Sequence, residues 1–165
     1  MAKTYEPIAT TTLGSAQSSV TFNSFSGYTD LRLVMTPIAT SGSTTYVALQ
    51  FNGDTGTNYS ETYMTGNGTS ATSARDSNVN ATYLYNTGAP TSAGLVVTTD
   101  IMNYSNSTTY KTLITRSNNS AAFTNAYVGL WRNTAAITSI VIAPTGGSGT
   151  YASGSTFTLY GIKAA

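Results

Sequence analysis

The 165-residue chain predicts a single-domain, all-β protein spanning 1–165, an antiparallel β-sandwich of about nine or ten strands. Three observations carry that expectation. Apolar residues recur with period two in short runs separated by Gly, Asn, Ser and Thr. The 32 Thr and 12 Tyr favour a pleated surface over a helix. No segment holds an apolar stripe at helical spacing over three turns, and no repeat at a fixed period points to a solenoid or propeller.

Taken in order, residues 1–13 read as a first strand, in which Pro7 cannot donate to a ladder and so favours an edge. Val20, Phe22 and Ser24 then alternate with Thr21 and Asn23. Leu31, Leu33 and Met35 share a face opposite Arg32, and Val47, Leu49 and Phe51 share one opposite Tyr46 and Gln50. The Asn52-Gly53-Asp54 step that follows is a strong turn signal. From Gly53 to Asn78 the chain is rich in Gly, Asn, Ser and Thr, with one short strand at Tyr59–Met64. A stretch of that length is either a solvated surface excursion or a functional, contact-forming loop.

Strands are expected next at Val79–Tyr85, Gly94–Met102, Thr109–Thr115, Asn125–Arg132, Ile137–Ile142 and Thr156–Ile162. Several carry apolar residues on both faces: Leu95, Val96 and Val97; Val128, Leu130 and Trp131; Ile140, Val141 and Ile142. Strands buried on both sides need cover on each. Without helices that cover is a long loop or another subunit, which points to a homo-oligomer.

Composition argues against most catalysis. There is no histidine to titrate near neutral pH and no cysteine to act as nucleophile or soft metal ligand. Seven basic and six acidic residues leave a net charge of +1 with no basic cluster, so no nucleic-acid partner is expected. The opening Met1–Pro7 lacks the apolar core of a secretory leader, and no run approaches the roughly 20 apolar residues of a membrane span. No membrane insertion is expected.

Glu6, Asp30, Asp54, Glu61, Asp76 and Asp100 show no pair on one face of one strand, so they read as turn and surface groups rather than a glycosidase pair. Lys3, Lys111 and Lys163 are the only lysines, and two lie near the ends, which disfavours a serine–lysine dyad. Asn52–Gly56 lacks the alternating acids and closing Glu of a calcium loop. Six N-x-S/T triplets follow from composition and predict no glycosylation without a leader. No catalytic residue, cofactor or metal is expected. What remains is a stacking platform for surface glycans or a protein partner at Trp131, Tyr83, Tyr85, Tyr104 and Tyr110, weighed against ordinary core and interface packing of the same rings.

Ser139-Ile140-Val141-Ile142, leading through a Gly-rich segment to Gly154-Ser155-Thr156-Phe157-Thr158-Leu159-Tyr160-Gly161-Ile162, resembles the closing strands of small β-sandwich structural proteins of tailed bacteriophages. Tyr5-Glu6-Pro7-Ile8-Ala9, Ser19-Val20-Thr21-Phe22 and Leu49-Gln50-Phe51-Asn52-Gly53-Asp54 with Tyr59 resemble the same group. These motifs mark strands and turns, with no reactive residue among them. The resemblance implies a jelly-roll, a homotrimer, and a place in the virion after assembly in the host cytoplasm. It implies either a capsid decoration (cement) protein that contacts the major capsid protein, or a tail fibre or tip module that binds host-surface glycans. In a decoration protein, Tyr5, Pro7 and Ile8 within residues 1–13 would form a contact arm rather than an ordinary first strand.

Overall fold

The structure is a computed structural model that describes residues 5–40, 46–85, 88–92, 94–145 and 149–163. Among these residues the chain forms twelve strands and no helix, so no helix is long and apolar enough to cross a membrane. The strands are β1 Tyr5–Thr12, β2 Val20–Asn23, β3 Asp30–Thr36, β4 Tyr46–Phe51, β5 Tyr59–Gly66, β6 Ala71–Val79, β7 Thr82–Tyr85, β8 Leu95–Ile101, β9 Lys111–Asn119, β10 Phe123–Trp131, β11 Ser139–Thr145 and β12 Thr156–Ile162.

All neighbouring strands pair antiparallel. The large sheet runs β1-β12-β3-β8-β9-β10-β5-β6 and the small one β2-β11-β4-β7. Within this order lies a jelly-roll: β1-β12-β3-β8 faces β2-β11-β4-β7, with the last strand beside the first and the chain alternating between sheets. Two hairpins, β9–β10 and β5–β6, are inserted into that frame. They extend the large sheet beyond β8, so that β9, β10 and β5 also face β7.

Alternation places the core as expected. Leu31, Leu33 and Met35 of β3, Phe157 and Leu159 of β12, and Ile140 and Ile142 of β11 are all buried between the sheets. Asn52 and Gly53 both have positive φ (53° and 67°), and Asp54 N–H donates to Phe51 C=O at 2.9 Å, which makes the type I′ turn signalled by Asn-Gly. The Asn52 amide then ties this turn to β11, donating to Ala136 C=O and accepting from the Thr138 and Ser139 N–H groups.

Three expectations are corrected. The described residues form twelve strands rather than nine or ten. The stretch from Gly53 to Asn78 is not a loop throughout: after the turn it forms the β5–β6 hairpin, whose outer strand β6 is largely exposed. The run Val79–Tyr85 is two strands, because the chain leaves the large sheet after Val79 and enters the small one at Thr82. Residues 1–4 lie outside the described residues. Tyr5–Thr12 is an edge strand paired with β12, irregular between Pro7 and Ala9, so Tyr5, Pro7 and Ile8 lie in the large sheet.

Candidate functional site

Trp131 ends β10 with its indole fully buried, packed against Phe51 (ring centroids 5.4 Å apart) and stacked on Tyr59 (6.4 Å). Its Nε1–H donates to Asp54 Oδ2 at 2.7 Å. The Asp54 carboxylate also accepts from Asn58 Nδ2 and Gly56 N–H. Burial pushes the Asp54 pKa up, but these three hydrogen bonds together outweigh it and hold the pKa below its ordinary value. With these donors the carboxylate ties the Asn52–Gly56 turn to β10 as a structural lock. Arg132 reinforces the lock from the other side, donating to Thr57 C=O, to the Asn78 side chain and to Ser60 Oγ.

Tyr85 and Tyr104 are buried as well. With Trp131 they offer no ring face to a ligand, which removes the glycan platform expected at these three positions. Tyr83 is half-buried and packs edge-on against Tyr46, while Tyr110 is exposed in the β8–β9 connection. The structure does not bring these two rings together with the others into one platform.

Besides tyrosines, two ionisable side chains are buried among the described residues. Glu61 sits on β5 with 2% exposure and points across to β7, where its Oε2 accepts from Thr82 Oγ1 (2.9 Å) and Tyr83 N–H (2.6 Å). Its Oε1 is buried without a hydrogen-bond partner. Burial is the main reason its pKa is raised to about 7, with Asp76 directly across the β5–β6 ladder adding to the effect. The ladder thus creates an acid pair that single-strand spacing does not show. Glu61 nonetheless faces the sandwich interior, clamped to β7. Lys111 is 1% exposed and donates to the Thr109 and Thr134 carbonyls, and burial lowers its pKa. Both groups stitch elements together, and no cluster of three or more metal-binding side chains occurs among the described residues.

The remaining feature is the outer face of the large sheet. Of seven large hydrophobic side chains left exposed among the described residues, five stand there: Tyr5 on β1, Met64 on β5, Val96 on β8, Ile114 on β9 and Val128 on β10. A hollow of about 600 Å³ lies across β8, β9, β10 and β5, with Met64, Val96, Thr124 and Ala126 among its walls and Arg116 at its side. The apolar runs read as doubly buried strands explain this in part. Leu95, Val97 and Trp131 face the core, whereas Val96 and Val128 face solvent in the single chain. Comparisons of the chain with protein-family models and with curated proteins find no match.

Proposed function

We propose that the protein is a non-enzymatic structural component of a virion, acting as a homotrimeric capsid decoration protein that stabilises the head lattice by binding it. The observation that carries this reading is the gathering of exposed apolar side chains on one sheet face of an otherwise polar surface, the mark of a protein-interaction surface. The resemblance of the strand and turn motifs to phage virion proteins supplies the setting. Buried Glu61 and Lys111 support it too, because the hydrogen bonds they make join separate segments of the fold. The mechanism is linkage: a protein that binds only the assembled lattice shifts the equilibrium toward that lattice. Burial of Trp131, Tyr85 and Tyr104 weakens the fibre-tip reading, which relied on their rings for glycan stacking.

The test is cryo-electron microscopy of particles from a lysate whose phage encodes this chain, with the protein labelled by a bound antibody fragment. Label over the icosahedral head is the expected result. Label confined to tail or fibre ends would replace decoration with receptor binding, and unlabelled particles would remove the virion reading altogether.

A further inference from the structure

We infer that the Asn67-Gly68 step at the tip of the β5–β6 hairpin is a site of spontaneous covalent modification, deamidation to aspartate and isoaspartate. The fold protects the chain's other Asn-Gly step, Asn52-Gly53, from the same reaction. This inference is independent of the virion reading.

Glycine lacks a Cβ, so its backbone nitrogen is unhindered and its φ is free, as ring closure onto a preceding asparagine requires. In that reaction the glycine N–H gives up its proton to solvent and the nitrogen attacks the asparagine Cγ. The new C–N bond forms as the Cγ–Nδ2 bond breaks, and the amide nitrogen leaves as ammonia with a proton taken from solvent. Water then opens the cyclic imide at either carbonyl, its hydroxyl going to carbon and its hydrogen to nitrogen. The balance is amide plus water to carboxylic acid plus ammonia, with nothing oxidised or reduced.

The two steps differ in how the asparagine is held. Both asparagines are exposed, and both glycines have positive φ with open space around them. Asn52, however, is clamped to distant chain. Its Nδ2 donates to Ala136 C=O at 2.8 Å, and its Oδ1 accepts from Thr138 N–H at 2.7 Å and Ser139 N–H at 3.1 Å. Its own N–H donates to Ser139 C=O at 3.0 Å. Swinging the Asn52 Cγ onto Gly53 N therefore means detaching the turn from the start of β11. Asn67 is tied only to its own turn. Its Oδ1 accepts from the Thr69 and Ser70 N–H groups and its N–H donates to Ser70 C=O, all within the exposed residues 67–70. Its Nδ2, the leaving group, donates to no partner among the described residues. The tip can thus open without breaking a strand pair, a local fluctuation of low cost. The product carboxylate takes the net charge from +1 to 0 (+1 − 1). It stands beside the β9–β10 turn, with which the tip shares a hollow of about 240 Å³.

Peptide mapping by tandem mass spectrometry tests this on the purified full chain, held for several days in mildly alkaline buffer, folded and in urea. In the folded chain Asn67 should convert to a pair of aspartyl and isoaspartyl peptides, with heavy-oxygen water labelling the new carboxylate. Asn67→Asp provides the retention standard for the aspartyl form. Asn52 should convert roughly tenfold or more slowly, because several hydrogen bonds to the β11 side must break first. In urea the two rates should come together. An Asn67 that stays intact in the folded chain, or an Asn52 that keeps pace with it there, would overturn the inference. A preference for Asn67 that survives in urea would do so as well, since its cause would then be local sequence and not the fold.

Discussion

Glu61 shows how one side chain couples stability to pH in this protein. Its folded pKa is raised from 4.5 to about 7, so the folded state holds the proton more tightly than the unfolded chain. The associated stability is complete below pH 4.5 and is lost as pH rises through about 7, a loss on the order of 3 kcal/mol. Asp54 works in the opposite sense: its pKa is lowered, so its stability is present above its ordinary value of 3.8 and falls away on acidification. Urea unfolding should therefore show higher stability at pH 5 than at pH 8. Glu61→Gln should flatten that difference; a slope unchanged in this variant would assign it to other groups. At Asp54, substitution by Ala strips the acceptor from the buried Trp131 N–H and from Asn58 and Gly56. A cost of about 2–4 kcal/mol is expected in the same assay.

The abundant Thr and Asn have specific duties at the next scale, that of strands and hairpins. Threonines pair across strands: Thr36 with Thr156, Thr10 with Thr158, and Thr99 with Thr115 inside the core at 2.9 Å. Asparagines cap turns: Asn67 Oδ1 accepts from the Thr69 and Ser70 N–H groups at the tip of β5–β6, and Asn106 does the same for Thr108 and Thr109. Gly129 of β10 packs closely against β7 of the jelly-roll frame and against Leu113 of β9. A Cβ there would lie 2.7 Å from Thr82 Oγ1 and 2.9 Å from Leu113 Cγ. Gly129→Ala should cost about 1–3 kcal/mol by forcing β7 away from β10. Gly66→Ala, whose Cβ would meet only Thr124 Cγ2 at 3.6 Å, should stay within about 0.5 kcal/mol of the parent in the same thermal melts.

Across the whole molecule, β12 is the strand on which closure depends. It lies between β1 and β3, so the first and last strands of the chain are direct neighbours. Contacts this distant in sequence make folding slow, in the range of milliseconds to seconds. Removing residues 156–165 would unpair β1 and β3 together and expose Leu31, Leu33 and Met35, so no cooperative melt is expected. Removing residues 1–12 takes away β1, an edge strand, and should leave a cooperative melt at lower temperature. Circular dichroism of the two truncations distinguishes these outcomes, and equal behaviour would deny β12 its central place.

Strand identity was legible in the sequence because each strand reports its own burial locally: Leu31, Leu33 and Met35, or Phe157 and Leu159, alternate whether or not their partners are known. The type I′ turn was legible for the same reason, since Asn52-Gly53 adopts positive φ from its own chemistry. β6 is not legible in the sequence because both of its faces are largely exposed, and its Thr, Ser and Ala residues carry no apolar alternation. Alternation says which residues share a face but not what lies opposite that face. Only the tertiary structure therefore decided that Val96 and Val128 face outward. It alone set Glu61 beside Asp76 and against β7, and it alone buried Trp131 beside an aspartate 77 residues away. The physical reason is that a strand's alternation is set residue by residue, whereas its neighbours are chosen by hydrogen bonding and packing between segments far apart in the chain.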